Sequence, residues 1–327
     1  MSTQTDPTVR VPASLVSASN SAQEYAQAAR SKNTKRAYRA SWRDFEDWCE
    51  QVGIVALPAT PETVAMYLSA RALQLKVGTL GHRLAAIAVA HKVAGYPNPT
   101  SKREEPLASI WAGIKRKRGQ RKTQKMPLLE AHLRKIIKLK DAETHSAIGE
   151  LRWIRDRALL LVGFAGALRR SELVDIDIKD LTFDERGLRL YIPRSKTDVG
   201  GEGVEIGIPA TGTATCPVRA VKEWMEAAGL DEGKVFRAVR HGGIITESLS
   251  TRVVANLVKR YAGDIGLDPG GFSGHSLRSG LITQAATNGA REVDIMRHSR
   301  HKSVPVLRQY VRKATVWEDN AAAKALG

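Results

Sequence analysis

The chain has 327 residues and a marked excess of basic side chains, 51 Lys and Arg against 34 Asp and Glu, which gives a formal charge of +17. This length permits a sizeable core and favours two domains. The charge favours a polyanionic partner, nucleic acid above all, although a basic protein that its charge merely keeps soluble fits the composition too. The only cysteines, Cys49 and Cys216, support neither a disulfide framework nor a cysteine zinc site, so we expect a reducing cytoplasm.

The beginning of the chain is polar and rich in Ser and Thr. It lacks the apolar stretch of a signal peptide, and no run in the chain approaches the ~18 apolar residues of a membrane span. We therefore predict a disordered tail at residues 1–19 in a soluble protein.

Residues 20–118 have the apolar spacing of several amphipathic helices. The three- and four-residue steps place the apolar side chains of each segment on one helical stripe. The first stripe contains five such residues, Tyr38, Trp42, Phe45, Trp48 and Cys49. Two others follow, with Val64, Tyr67 and Leu68 in one and Leu80, Leu84, Ile87, Ala88 and His91 in the next. We predict a compact helical domain.

A strongly basic segment follows this domain. Seven of the eleven residues 115–125 are Lys or Arg and none is acidic, a composition that repels itself and resists folding into a core. We interpret residues 119–126 as an interdomain linker and the basic side chains around it as contacts to phosphates; a merely solvated helix end is the alternative. The predicted contacts are Lys115, Arg116, Lys117, Arg118, Arg121, Lys122 and Lys125.

Residues 127–312 are predicted to form a second, mostly helical domain with one small antiparallel sheet. Helical patterns occupy residues 128–140, 151–165, 218–227, 249–261, 276–287 and 304–310, and the second of these is apolar enough for a central core helix. Apolar residues alternate in residues 188–192 and 204–208, which indicates two strands joined by a turn-rich connection that contains Lys196. Residues 313–327 form a tail that is a candidate for docking on a neighbouring protomer.

Four polar clusters stand out, and three of them also fit an ordinary structural role. Arg169 and Glu172 follow an apolar helix, where an internal ion pair is the alternative to an anion site. Lys196 lies in a polar turn. His275 and Arg278 lie three residues apart at a helix start, an arrangement that suits a phosphate. The last cluster contains two histidines, His298 and His301, and Tyr310, whose phenol would by itself be an ordinary aromatic.

The order and spacing of these clusters resemble the tyrosine recombinase (phage integrase) family over nearly the whole chain. The family's Leu-Arg-x-Ser-Glu-Leu segment matches Leu168, Arg169, Ser171, Glu172 and Leu173; its hairpin lysine matches Lys196; its His-x-x-Arg element matches His275 and Arg278. Its His or Trp nine residues before the nucleophile matches His301, counted back from Tyr310. The segment Ser273-Gly274-His275-Ser276 is especially similar to the corresponding segment of the Cre recombinase branch.

The resemblance and the chemistry of a phosphodiester imply a role for each matched residue. Tyr310 is the expected nucleophile and His275 the base that takes its proton. Lys196 would protonate the departing 5′-oxygen, and Glu172 would orient His275 or an arginine without reacting itself. Charge on the phosphate oxygens would be stabilised by Arg169, Arg278 and His301.

Two residues depart from the family's pattern. Arg170 stands where an aliphatic residue is usual, and Arg300 stands where glycine is common. His298 is therefore a rival to His301, although the spacing favours His301.

The resemblance further implies a 3′-phosphotyrosyl product, strand exchange through a Holliday junction, and no metal or nucleotide cofactor. The expected partner is double-stranded DNA with an inverted-repeat target, bound by a homotetramer on two sites. The N-terminal helical domain would act as the DNA-clamping module, with Thr34, Lys35 and Arg36 among its contacts. A bacterial, phage or plasmid origin and a cytoplasmic, nucleoid-associated location are expected.

Three other functions are weighed against this one. Zinc bound by His275, His298 and His301 is a weak possibility, because a His-x-x-His pair without a third ligand at standard spacing is not specific. A DNA-binding architectural or regulatory factor would retain the fold without the reaction. A relaxing enzyme resembling type IB topoisomerases would share the chemistry without a site preference.

Overall fold

The computed structural model describes residues 32–119, 124–193 and 202–314, and these contain twelve α-helices and one three-stranded sheet. The mostly helical class with a small antiparallel sheet is thus confirmed. The chain divides into two compact units, residues 1–122 and 123–327. In the described ranges, every helix is too short or too polar to cross a membrane.

The first unit has four described helices with one apolar core: α1 (Lys32–Gln51), α2 (Pro61–Ala72), α3 (Val77–Val93) and α4 (Leu107–Arg118). The predicted stripe of α1 is confirmed, since Phe45 and Cys49 are buried. Tyr67 of α2 lies edge-on to two aromatic rings of α1, with centroids 5.0 Å from Phe45 and 5.5 Å from Trp48. Such tilted pairs add to the stability that area burial provides.

The second unit contains eight described helices and the sheet. In chain order its elements are α5 (Glu130–Asp141), α6 (Ala147–Ala165), α7 (Arg170–Asp175), β1 (Leu181–Asp184), β2 (Gly187–Ile192), β3 (Val204–Pro209), α8 (Pro217–Ala227), α9 (Thr251–Asp264), α10 (Ser276–Thr287), α11 (Glu292–Ser299) and α12 (Val304–Ala314). The sequence pattern missed α7, β1 and α11. These elements have four to eight residues, too few apolar positions to establish a period.

Helix α6 is the centre of this unit, as its apolar sequence predicted. Every residue from Ala158 to Phe164 is buried, and the helix contacts α7, α8 and α10. The Ser146 side chain accepts a hydrogen bond from the backbone N–H of Gly149 and so caps its first turn. Because the C-terminal half of α6 is buried by its neighbours, its end is a rigid base for the residues that follow.

The sheet has the strand order β1-β2-β3, and both pairs are antiparallel. The alternating apolar residues of the two predicted strands face one another, with Leu188 opposite Ile208 and Leu190 opposite Ile206. All four are buried. The connection between β2 and β3, which contains Lys196, lies outside the described residues.

Candidate active site

The turn between α6 and α7 presents Arg169. After α6 the chain passes through Ala167, which is buried and has a positive φ of 46°. Glu172, one turn into α7, reaches back to this point. Its Oε2 accepts from the backbone N–H of Arg169 at 2.9 Å and its Oε1 from Nη1 of the same arginine at 2.5 Å. The carboxylate therefore fixes both the helix start and the direction of the Arg169 side chain.

The start of α10 supplies Arg278, which is 1% exposed. Its Nη1 donates to the carbonyl oxygen of Ala167 at 2.6 Å, and its Nη2 lies 3.2 Å from Nδ1 of His301. Burial, together with the nearby cations Arg169 and Arg300, lowers the pKa of Arg278 to about 9. The guanidinium remains charged at neutral pH, and its environment has a deficit of negative charge.

His301 follows α11 and is oriented through its Nδ1 atom. A guanidinium nitrogen only donates, so the contact with Arg278 makes Nδ1 an acceptor and places the proton of the neutral ring on Nε2. The Ser299 hydroxyl lies 2.7 Å from the same Nδ1 and 2.6 Å from the carbonyl oxygen of Ile295, two acceptors for its single proton. Burial and the nearby arginines lower the pKa of His301 to about 4. The ring is thus neutral at neutral pH, with Nε2–H as its donor.

Tyr310 lies on α12, nine residues after His301, and its phenol oxygen is 2.9 Å from Nε2 of His275. Burial raises the pKa of Tyr310, and Arg278 and a hydrogen bond with Gln124 offset part of that rise. Burial and then Arg278 lower the pKa of His275. At neutral pH both groups are uncharged, and in the His275 tautomer with its proton on Nδ1 the Nε2 atom can accept a hydrogen bond from the phenol.

Positive charge exceeds negative charge among these side chains. Glu172 is the one carboxylate that pairs with them in the described residues, and it serves both Arg169 and Arg300. Burial alone would raise the pKa of Glu172, but Arg300 and Arg169 hold it below its ordinary value. With Arg278 included, three guanidinium groups share one carboxylate. An anion in this space would offset the excess.

His298 and Arg300 are both held by partners other than Tyr310. Nε2 of His298 donates to the carbonyl oxygen of Ala165 at 2.6 Å. Arg300 is buried against Glu172. Sequence reasoning treated His298 as a rival of His301 and gave Arg300 no role. The replacement of a usual glycine at position 300 was the only signal that could have drawn attention to it.

The other predicted DNA contacts belong to other segments of the chain. Lys115, Arg116, Lys117 and Arg118 form the exposed last turn of α4 rather than an irregular segment. Nζ of Lys125 donates to the carbonyl oxygen of Gly270. In the first turn of α1, Thr34 and Lys35 are half-buried, and exposed Arg36 donates to the side-chain oxygen of Asn33 at 3.0 Å. Lys196, Arg121 and Lys122 lie outside the described residues, as do residues 1–19 and 315–327.

A metal site was the alternative use of the histidines. Within residues 32–119, 124–193 and 202–314, no three His, Cys, Asp or Glu side chains form a group that could hold a metal ion. His275 and His298 instead bind Tyr310 and Ala165, respectively. The zinc alternative therefore lacks a ligand set in this part of the chain.

Comparisons with known proteins identify relatives of this chain. The profile of the phage integrase family matches residues 130–316. An integrase/recombinase xerD homolog of Selenomonas ruminantium is 38% identical over 294 residues, which cover 88% of this chain and 84% of that protein.

Two solved structures share the fold. The XerH site-specific recombinase, bound to a palindromic difH substrate in a post-cleavage complex, is 16% identical with a TM-score of 0.64, covering 89% of this chain and 78% of that one. A lambda integrase dimer bound to a COC′ core site is 18% identical with a TM-score of 0.58, covering 88% and 74%. The family profile spans the whole cluster from Arg169 to Tyr310, and the chain belongs to the phage integrase family of tyrosine recombinases, a family of site-specific recombinases.

Proposed function

We propose that this chain cuts and rejoins double-stranded DNA at a specific site, with Tyr310 as the nucleophile. The observation that carries the proposal is the hydrogen bond between the Tyr310 phenol and Nε2 of His275. Three guanidinium groups belong to the same cluster, and two of them, Arg169 and Arg300, pair with its single carboxylate, Glu172. A nucleophile paired with a base, next to unneutralised fixed cations, meets the needs of attack on a phosphodiester.

In the cleavage step, the Tyr310 oxygen bonds to phosphorus and its proton passes to His275. The bond from phosphorus to the 5′-oxygen breaks, and that oxygen takes a proton from Lys196. The products are a 3′-phosphotyrosyl ester and a 5′-hydroxyl. Arg169, Arg278 and the Nε2–H of His301 stabilise the charge that develops on the non-bridging oxygens.

Rejoining reverses these steps with another strand. A 5′-hydroxyl gives its proton to Lys196, attacks the phosphotyrosyl ester and displaces Tyr310, which recovers its proton from His275. The covalent ester retains the energy of the phosphodiester, so no nucleotide is hydrolysed. The arginines supply positive charge at the phosphate, and we propose that the reaction proceeds without a metal ion.

The decisive experiment is covalent capture. A duplex nicked next to the scissile phosphate loses its short 5′-hydroxyl fragment after cleavage and traps the ester. We expect an adduct from the wild-type chain and none from Tyr310→Phe, whose DNA affinity should be unchanged. If the wild-type chain binds this duplex without forming an adduct, the chain is a DNA-binding factor that lacks the reaction. Loss of the adduct with chelator and its return with zinc would overturn the metal-free mechanism.

Lys196 is proposed as the acid that protonates the departing 5′-oxygen. A substrate whose scissile 5′-oxygen is replaced by sulfur has a thiolate leaving group, and a thiol has a pKa of only about 8.5. We expect Lys196→Ala to cleave the ordinary substrate slowly and the sulfur substrate at the wild-type rate. An equal defect on both substrates would remove Lys196 from this role.

Site specificity and assembly are part of the same proposal. We propose an inverted-repeat target and four protomers on two sites. Footprinting on DNA from the flanks of the gene should reveal two protected arms about a central cleavage region, and a synaptic complex should have the mass of four chains. Relaxation of supercoils without any protected site would favour a topoisomerase-like enzyme instead.

A further inference from the structure

Residue 300 marks the turn between α11 and the segment that carries His301. Its backbone is left-handed, with φ of 58° and ψ of 41°. Glycine adopts this conformation freely, whereas a residue with a Cβ pays roughly 1–2 kcal/mol for it. The backbone conformation at this position is unfavourable for arginine. We therefore expect its side chain to make an interaction that offsets this cost.

The guanidinium of Arg300 is nearly enclosed and makes four hydrogen bonds. Its Nη2 donates to Oε2 of Glu172 at 2.9 Å and to the carbonyl oxygen of Ala167 at 3.1 Å. Its Nη1 donates at 3.2 Å to the carbonyl oxygens of Gly166 and His298. The side chain is only 6% exposed. It therefore has little surface to offer a phosphate.

Three of the four acceptors belong to the segment that runs from the end of α6 to α7. The last carbonyl groups of a helix lack partners within the helix and carry its negative dipole end, so a cation suits them. The Ala167 carbonyl also accepts from Arg278, at 2.6 Å. Arg300 thus joins the turn that presents Arg169 to the turn that presents His301, and Arg278 holds the same carbonyl.

We propose that Arg300 is a positioning residue for strand cleavage, which fixes His301 relative to Arg169 and Arg278 by fastening the turn after α11 to the turn after α6. The inference rests on the proposed function, because it assigns Arg300 a part in that reaction. Its part is indirect: the guanidinium sets where the Nε2–H of His301 points and does not itself bind DNA.

Only arginine has the shape for this task. Its planar fork reaches a carboxylate on one side and carbonyl groups on the other, whereas lysine has a single nitrogen at the end of a flexible stem. Two substitutions separate the contributions. Arg300→Lys keeps the positive charge and loses the planar guanidinium. Arg300→Gly removes the strain of the left-handed backbone and also removes the hydrogen bonds to the turn after α6. Arg297→Gln is the matched control, since Arg297 lies in the last turn of α11, three residues before Arg300, and its side chain is 79% exposed.

The first test measures adduct formation in a single turnover at saturating nicked DNA. Misplacement of a catalytic group by ~1 Å slows a reaction about 100-fold, so we expect Arg300→Lys and Arg300→Gly to be roughly 10- to 100-fold slower. DNA affinity should stay within about twofold, because Arg300 makes no phosphate contact in this scheme. Arg297→Gln should cleave at the wild-type rate.

The second test follows His301 itself by NMR of labelled histidine, assigned with His301→Gln, and needs no activity. The charged or titratable groups that face His301 are Arg169, His275, Arg278, Arg300 and Tyr310. In Arg300→Gly, loss of one cation and looser packing should both raise the pKa of His301. Arg300→Lys, which retains the charge, should raise it less, and Arg297→Gln should leave it unchanged.

The two tests separate the possible failures. A normal His301 titration in Arg300→Gly would overturn the proposal whatever the cleavage rate, because Arg300 would then not act through His301. A normal cleavage rate in Arg300→Lys and Arg300→Gly would overturn it too. If the His301 titration is shifted but the wild-type chain forms no adduct, Arg300 still positions His301, and the proposed reaction is refuted instead.

Discussion

Nε2 of His298 lies 2.6 Å from the carbonyl oxygen of Ala165, the last residue of α6. Burial lowers the pKa of His298, and this hydrogen bond offsets part of the effect. The ring is therefore neutral with its proton on Nε2, and this N–H donates to the carbonyl oxygen at the end of α6. His301, three residues later, has its Nδ1 occupied by Arg278 and keeps its Nε2–H as a donor. Two similar residues thus have different tasks.

Substitution of the two histidines should separate stability from catalysis. Loss of a donor that stabilises a transition-state anion costs about 100-fold or more in rate, so we expect His301→Gln to slow single-turnover cleavage by that factor. His298→Gln should lower the free energy of unfolding by about 1 kcal/mol, the net value of a hydrogen bond, with a much smaller change in rate. Denaturant unfolding and adduct formation are measured on both. A slow, fully stable His298→Gln would reverse the assignment.

The pH dependence of cleavage should report His275. The groups that face it are Arg169, Arg170, Arg278, His301 and Tyr310. A base must be unprotonated, so the rate should be constant at neutral pH and fall as the pH drops through the lowered pKa of His275. Arg170→Gln removes one of the cations that lower this pKa, so the acid limb should move to higher pH. Arg170 is exposed, so salt should weaken the shift. Identical pH–rate curves for the two proteins would contradict His275 as the base.

The stability of the fold should also depend on His301. Its pKa is about 4 in the folded chain and near its ordinary value of 6.5 when unfolded. Between these values the unfolded state binds a proton that the folded state does not, so stability is lost as the pH falls. We expect wild-type stability to drop between pH 7.5 and pH 5, and to drop less in His301→Gln. Denaturant unfolding at the two pH values measures this, and an equal drop would show that His301 does not contribute.

The sequence predicted those parts of the fold that have a regular period. The stripe of α1 and the facing strands β2 and β3 could be read because packing against one core imposes that period on their apolar residues. It did not predict α7 or α11, which are short and are held by their neighbours. In such elements tertiary contacts decide the structure, and a single sequence does not display them.

The residues of the candidate site, too, could be predicted from the sequence only in part. The spacing of Arg169, His275, Arg278 and Tyr310 identified the cluster through its resemblance to a family. The link from Arg300 to Glu172 spans 128 residues of sequence, and only the folded backbone brings the two together. The departure from the family pattern at position 300 could be recognised from the sequence, but the partner of Arg300 could not.

Gly280 of α10 should not tolerate a side chain. An added Cβ would lie 2.0 Å from the carbonyl oxygen of Leu128 and 3.1 Å from the ring of Phe164. Alanine gains about 1 kcal/mol of helix propensity over glycine, but a clash with backbone has no cheap relief and overpacking costs typically about 1–3 kcal/mol or more. We expect Gly280→Ala to lower the free energy of unfolding by roughly 2 kcal/mol.

Gly163 of α6 is the matched control for this substitution. There an added Cβ would meet only the side-chain ends of Leu173 and Leu277, at 2.8 and 2.9 Å, which can shift. Gly163→Ala should therefore cost less in denaturant unfolding. Equal losses for the two variants would mean that the approach of α10 to Leu128 is looser than the structure has it.

The basic last turn of α4 should contribute to DNA affinity through charge alone. Its side chains are exposed, so they are available to phosphates. Arg118 also donates to the carbonyl oxygen of Leu73 at 3.1 Å, so we leave it in place and change Lys115, Arg116 and Lys117 to Gln. Each lost phosphate contact should flatten the slope of log affinity against log salt by about 0.9. Titrations from low to high salt measure this slope, and the same change at exposed Arg134, Lys135 and Lys138 of α5 controls for net charge. If the two triple variants flatten the slope equally, the turn attracts DNA only through the charge of the whole protein.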